Sequence, residues 1–132
     1  MRCGCDLVHV SRISGLLNRR PEAIGRVFSD REVADACRGG VEPTSIVAHQ
    51  RLAARWAAKE ATVKALDRPD LGPRDIEVRT RGSGAPELWI EGAATDLAVS
   101  MSHDGDLALA FVVAADQLAT HHVQEEAAHA AR

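Results

Sequence analysis

An α+β fold is predicted by three observations. One strand-like run, Gly4–Val10, stands alone at the start of the chain. Residues 11–66 then carry helix signals and no second strand. Residues 75–113 carry period-2 alternation broken by Gly-containing turns, the signature of antiparallel strands. Together they describe an antiparallel sheet packed on a long central helix, with short helices on the N-terminal side.

In Gly4-Cys5-Asp6-Leu7-Val8-His9-Val10 one acid stands among apolar residues. A buried carboxylate needs a partner, and two are open to it: backbone N–H groups at a strand end, or a metal ion. Cys3 and Cys5 share one face of this strand and are read as small buried side chains. Three cysteines, an odd count, and no expected secretion signal argue against a disulfide framework. Ser11–Asn18 starts a short helix with Ile13, Leu16 and Leu17 on its apolar face. Pro21 breaks it, and Glu22–Val27 forms a second. In Phe28-Ser29-Asp30-Arg31-Glu32, Ser29 and Glu32 have the spacing of a capping box, and Gly39-Gly40 ends the helix that it starts.

The long helix runs from about Pro43, through Thr44 and Ser45, to Leu66, where Asp67, Arg68 and Pro69 stop it. It is rich in alanine, which lets another element approach closely. Leu52, Trp56, Val63 and Leu66 form an apolar stripe. Glu60 and Lys64 lie one turn apart, and on spacing alone they read as an exposed ion pair. Lysine usage singles them out: only Lys59 and Lys64 are lysines among 16 basic residues. Unlike arginine, lysine offers a compact ammonium whose protonation changes on desolvation.

Beyond the helix, Asp75–Arg81 and Glu87–Glu91 pair around Gly82-Ser83-Gly84. Asp96–His103 and Asp106–Val113 pair around Asp104-Gly105. In the second hairpin Leu97, Val99 and Met101 share a face, as do Leu107, Leu109, Phe111 and Val113. Its two apolar faces are too extensive for one small core. Residues 1–113 read as one domain and residues 114–132 as a helical or disordered extension. In that extension His121, Glu125 and His129 recur at helical spacing, as a candidate chelate or as a polar terminal helix, the reading preferred here.

The 132 residues include four aromatics and no tyrosine, so the core is aliphatic and oligomerisation would help to stabilise it. Residues 1–66 hold 11 basic against 7 acidic groups, and residues 67–132 hold 5 against 12. A basic half on an acidic protein suits an anionic partner. Nucleic acid is a poor one, because the net charge is −3 and no basic–aromatic platform is visible. No apolar run reaches bilayer length, and a soluble cytoplasmic protein is expected.

Three pieces coincide: Gly4-Cys5-Asp6 with Arg12-Ile13 six residues on; Arg55-Trp56-Ala57-Ala58-Lys59-Glu60-Ala61; and Ser100-Met101-Ser102-His103-Asp104. Phe28–Glu32 and Asp75–Val78 lie between them in order. From about Gly4 to Val113 the chain resembles the holo-[acyl-carrier-protein] synthases, the small trimeric branch of the 4′-phosphopantetheinyl transferases. It departs at Cys5, where a Gly, Thr or other small residue is commoner, and at Asp67–Asp70, which replaces a Gly-containing loop.

The resemblance implies that fold and a reaction: transfer of 4′-phosphopantetheine from coenzyme A to a serine hydroxyl of an apo acyl carrier protein, releasing 3′,5′-ADP. It implies Mg²⁺ held by Asp6 and Glu60, since a pyrophosphate is a poor electrophile until its charge is offset. Lys64 would offset phosphate charge or assist deprotonation of the serine. Arg55 and Lys59 would hold coenzyme A phosphates or structural acids, and Ser102 and His103 would approach a phosphate. Arg12, Arg19, Arg20 and Arg26 are the candidates for docking the acidic carrier. A homotrimer with sites between subunits is implied too. Two other classes use the same features: a carrier- or coenzyme-A-binding module without catalysis, and a Mg²⁺-dependent phosphohydrolase.

Overall fold

The structure, a computed structural model, describes residues 1–115. His121, Glu125 and His129 lie outside the described residues. Strand β1 (Arg2–His9) leads directly into helix α1 (Val10–Arg19). A 3-10 turn (Pro21–Ala23) precedes α2 (Ile24–Val27), α3 (Asp30–Ala36) and α4 (Ile46–Leu66). Five strands follow: β2 (Ile76–Thr80), β3 (Pro86–Ile90), the two-residue β4 (Ala93–Ala94), β5 (Ala98–Asp104) and β6 (Leu107–Ala114). The predicted α+β order holds.

The strands form two antiparallel sheets, β1-β6-β5 and β2-β3-β4. Local alternation predicts each hairpin, but not which hairpin edge accepts the isolated first strand. That edge is β6: β1 pairs along it from Arg2 opposite Ala114 to His9 opposite Leu107. The last strand is therefore central in its sheet, and the two ends of the described chain lie side by side.

The α4 helix starts at Ser45, whose hydroxyl accepts from the Ala48 amide at 3.2 Å. It ends at Asp67, which takes the left-handed conformation (φ 51°), while the Arg68 amide donates to the Val63 carbonyl. Its alanines 48, 53, 54, 57, 58, 61 and 65 are all buried. They let β1 and β6 lie directly on the helix backbone. Gly4 marks the closest approach. A Cβ there would sit 2.7 Å from the Ala65 amide nitrogen and 2.9 Å from the Lys64 Cβ, and closer still to the Ala61 carbonyl.

This close packing decides which way β1 and β6 face. Only small side chains fit against α4, so Gly4, Val8, Ala108, Ala110 and Val112 turn inward. Leu7, Leu107, Leu109 and Phe111 are left on the open face, Leu7 at 59% and Phe111 at 45% exposure. The expectation that Cys3 and Cys5 are buried is overturned: both are exposed, and Cys5 pairs opposite Phe111 on that open face. The register that buries Gly4 turns its neighbours outward.

Candidate active site

Asp6 lies two residues beyond Gly4, on the same side of β1. The contact of Gly4 with α4 therefore carries Asp6 to the last two turns of the helix. Lys64 Nζ donates to Asp6 Oδ1 at 3.1 Å and to the Cys5 carbonyl at 3.0 Å. The carboxylate thus meets an ammonium, a partner that sequence reading did not foresee. Asp6 is largely shielded, while Lys64 is more than half exposed.

Glu60 stands one turn before Lys64, but the Lys64 ammonium pairs with Asp6 and not with it. Asp6 and Glu60 together line an open hollow of about 260 Å³ with Leu7, Val8, Arg12 and Trp56. Arg12 arrives there because β1 passes into α1 without a loop. That junction is fixed by Asp106 in the β5–β6 turn. Its carboxylate accepts from the Ser11 amide and the Ser11 hydroxyl, each at 2.8 Å, and its carbonyl accepts from the Val10 amide at 2.7 Å. Those Ser11 hydrogen bonds hold the Asp106 carboxyl below its usual range. Gly105, with φ 56°, supplies the tight turn.

Two carboxylates and no other anionic ligand suit a hard cation that keeps water and takes substrate oxygens. Among the described residues no group of three or more His, Cys, Asp or Glu could hold a metal by itself. Mg²⁺ is commonly bound in this way, through one or two carboxylates plus substrate phosphates.

Lys59, beside Glu60 in sequence, points away from the hollow. It is 2% exposed. Its three protons go to Glu32 Oε1 at 2.8 Å, the Pro73 carbonyl at 2.7 Å and the Ile76 carbonyl at 2.6 Å. No donor is left for a phosphate, so of the two roles expected for it Lys59 takes the structural one. Glu32 is fully buried. Besides Lys59 it accepts from the Ser29 amide, completing the predicted capping box, and from the Val78 amide at 3.0 Å. Sequence spacing found Glu32 as a cap but not as the counter-charge that ties α3, α4 and β2 together. Desolvation pushes the Lys59 ammonium below its ordinary pKa, and Glu32 opposes that shift.

Arg55 is also buried, on the α3 side of the helix, with Asp35, Arg38 and Arg51 around one cavity. Ser102 and His103 are exposed at the end of β5. They line a separate shallow hollow with Leu7, Asp104, Leu107 and Leu109. Within one chain the structure does not bring His103 into the Asp6–Glu60 hollow, although Leu7 borders both. Arg12, Arg19, Arg20 and Arg26 are all exposed along α1 and α2. Arg68 pairs with Asp70 through two hydrogen bonds of 2.8 and 2.7 Å, which closes the loop after α4. No helix among the described residues is long and apolar enough to cross a membrane.

Comparison with known proteins agrees with this geometry. The family model of the 4′-phosphopantetheinyl transferase superfamily matches residues 2–112. A holo-[acyl-carrier-protein] synthase of Chloroflexus aurantiacus is 40% identical, over 84% of this chain and 95% of its own. The holo-[acyl-carrier-protein] synthase of Helicobacter pylori, solved in complex with coenzyme A, superposes with a TM-score of 0.70 at 26% identity, over 86% of this chain and 99% of that one. The Bacillus anthracis synthase, solved in complex with CoA (3′,5′-ADP), gives a TM-score of 0.69 at 28% identity, over 84% and 92%. The paired acids, the lysine beside them and the fold that brings them together have one common explanation: this chain belongs to the 4′-phosphopantetheinyl transferase superfamily, on its holo-[acyl-carrier-protein] synthase branch.

Proposed function

We propose that the chain moves 4′-phosphopantetheine from coenzyme A to a serine hydroxyl of an apo acyl carrier protein, releasing 3′,5′-ADP, with Mg²⁺ required. The observation that carries this reading is the meeting of Asp6 and Glu60 at one open hollow that Arg12 also lines, with the Lys64 ammonium bonded to Asp6. The serine oxygen attacks the phosphorus that bears pantetheine, the pyrophosphate P–O bond breaks, and 3′,5′-ADP leaves as the serine gives up its proton. Asp6 and Glu60 would hold Mg²⁺, which when bound offsets the charge of the pyrophosphate. Lys64, more than half exposed, would turn from Asp6 to a phosphate oxygen or to the serine.

The carrier would be acidic, and the exposed arginines 12, 19, 20 and 26 would offer it a docking surface that meets the hollow at Arg12. Ser102 and His103 would act from a neighbouring chain. The apolar open face of Leu7, Leu107, Leu109 and Phe111 supports association, and a homotrimer is the assembly we favour. The reading places the protein in the cytoplasm and in lipid biosynthesis, where coenzyme A and carrier proteins meet.

The test incubates coenzyme A and Mg²⁺ with and without an apo carrier. Release of 3′,5′-ADP together with a carrier heavier by phosphopantetheine supports the transfer. Release without carrier would instead show a hydrolase, and no release in either arm a binding module.

A further inference from the structure

Helix α1 begins without a cap of its own. His9 stands at its N-cap position and gives it no side-chain hydrogen bond, and its first turn holds no acid. The first amides of a helix have no acceptor within it, so other groups must supply one. Here a single residue, 95 positions after Ser11, serves two of them. The Asp106 carbonyl accepts from the Val10 amide at 2.7 Å, and Asp106 Oδ1 accepts from the Ser11 amide at 2.8 Å. Asp106 Oδ2 accepts from the Ser11 hydroxyl, also at 2.8 Å, and the exposed His9 ring comes within 3.5 Å of that oxygen. Asp106 therefore caps α1 from a distant part of the chain, with its negative charge at the positive end of the helix.

The turn that carries Asp106 is itself tied to α4. Gln50 Nε2 donates to the Gly105 carbonyl at 3.0 Å. One residue earlier on α4, His49 Nδ1 lies 2.7 Å from the Ser14 hydroxyl. Helix α1 is thus gripped at Ser11 and at Ser14, and both grips lead back to adjacent residues of α4. Arg12 stands between the two gripped positions. It lines the Asp6–Glu60 hollow, and Glu60 belongs to the same α4. The two grips set the backbone of Arg12 relative to Glu60.

We infer that Asp106 is a positioning residue for the carrier: by capping α1 it holds Arg12 in place at the Asp6–Glu60 hollow, a role that rests on the docking proposed above for Arg12. Asp106 acts through α1 and not on the reacting groups. Without its carboxylate the first turn of α1 frays, and Arg12, in that turn, loses the fixed place from which it meets an acidic partner. Asp6 and Glu60 stay where β1 and α4 hold them.

Two readouts on the full chain test this. In Asp106→Ala, hydrogen exchange of the Ser11 amide should quicken about fivefold or more. With an apo acyl carrier protein as substrate, the same variant should raise the KM for the carrier about fivefold or more, with kcat and the KM for coenzyme A within about twofold of wild type. Asp106→Asn keeps an oxygen for the Ser11 amide and should restore most of both. Asp106→Ala should add little in an Arg12→Ala background, because the two act in series. Asp106 is more than half exposed, and residue 106 keeps its carbonyl for the Val10 amide, so these variants fold. Unchanged exchange, an unshifted carrier KM, an equal loss in kcat or in the KM for coenzyme A, no rescue by Asp106→Asn, or additive losses with Arg12→Ala each overturn the positioning role. Absence of transfer by the wild-type chain would remove the function proposed above and this role with it, whereas transfer with an unshifted carrier KM in Asp106→Ala removes this role alone.

Discussion

Lys64 Nζ stands 3.1 Å from Asp6 Oδ1, so the ammonium occupies the carboxylate that the proposed metal requires. Two cations cannot share one oxygen closely without repulsion. Lys64→Met should therefore raise Mg²⁺ affinity of the free protein several-fold while lowering transfer, because the competing charge is gone and so is its help with the phosphates. Asp6→Ala and Glu60→Ala should each lower transfer by about a hundredfold or more with the fold intact. Metal titration and single-turnover assays check this. Weaker Mg²⁺ binding in Lys64→Met would mean that Lys64 orients Asp6 instead of competing for it.

The Glu32–Lys59 pair is buried, and removing one partner strands the other charge. Lys59→Met or Glu32→Gln should cost about 3–5 kcal/mol, and the double replacement less than the sum of the two. Urea unfolding of the three variants measures it. Additive losses would show that the pair is not coupled.

His49 is buried, and its Nδ1 lies 2.7 Å from the Ser14 hydroxyl that joins α1 to α4. Desolvation lowers its pKa from the ordinary 6.5. The unfolded chain then binds the proton first as pH falls, so this contribution to stability is present above pH 6.5 and is lost on acidification through the folded pKa. His49→Gln should flatten the stability curve below that point. Denaturation midpoints across the acid range test it; an unchanged slope in the variant would place the proton elsewhere.

The separate hollows of Glu60 and His103 predict complementation. Glu60→Ala and His103→Ala chains, each impaired alone, should regain activity when co-assembled, since some interfaces then pair an intact acid side with an intact histidine side. Leu109→Glu, on the open apolar face, should dissociate the assembly and abolish transfer. Full activity in a verified monomer, or mixed assemblies without recovery, would refute a shared site.

What the sequence determined is local. Ser45 and Ser29 start their helices because a hydroxyl beside free amides caps them wherever it occurs. The β5–β6 hairpin follows from alternation around Asp104-Gly105. The Glu60–Lys64 spacing and the Gly4-Cys5-Asp6 run were legible for the same reason, and the resemblance that they carry named the chemistry. What the tertiary structure decided is which face of each period turns inward. A period of two fixes alternation but not direction; the contact of Gly4 with the α4 backbone sent Cys3, Cys5, Leu7 and Phe111 outward. The pairing of β1 with β6, the gift of Lys64 to Asp6 and the spending of Lys59 on Glu32 join residues far apart in the chain. Arg38, from the loop before α4, likewise meets Arg51 and Arg55 of that helix around one cavity. No local pattern encodes such meetings, because they depend on how closely an alanine-lined helix lets the strands and helices around it approach.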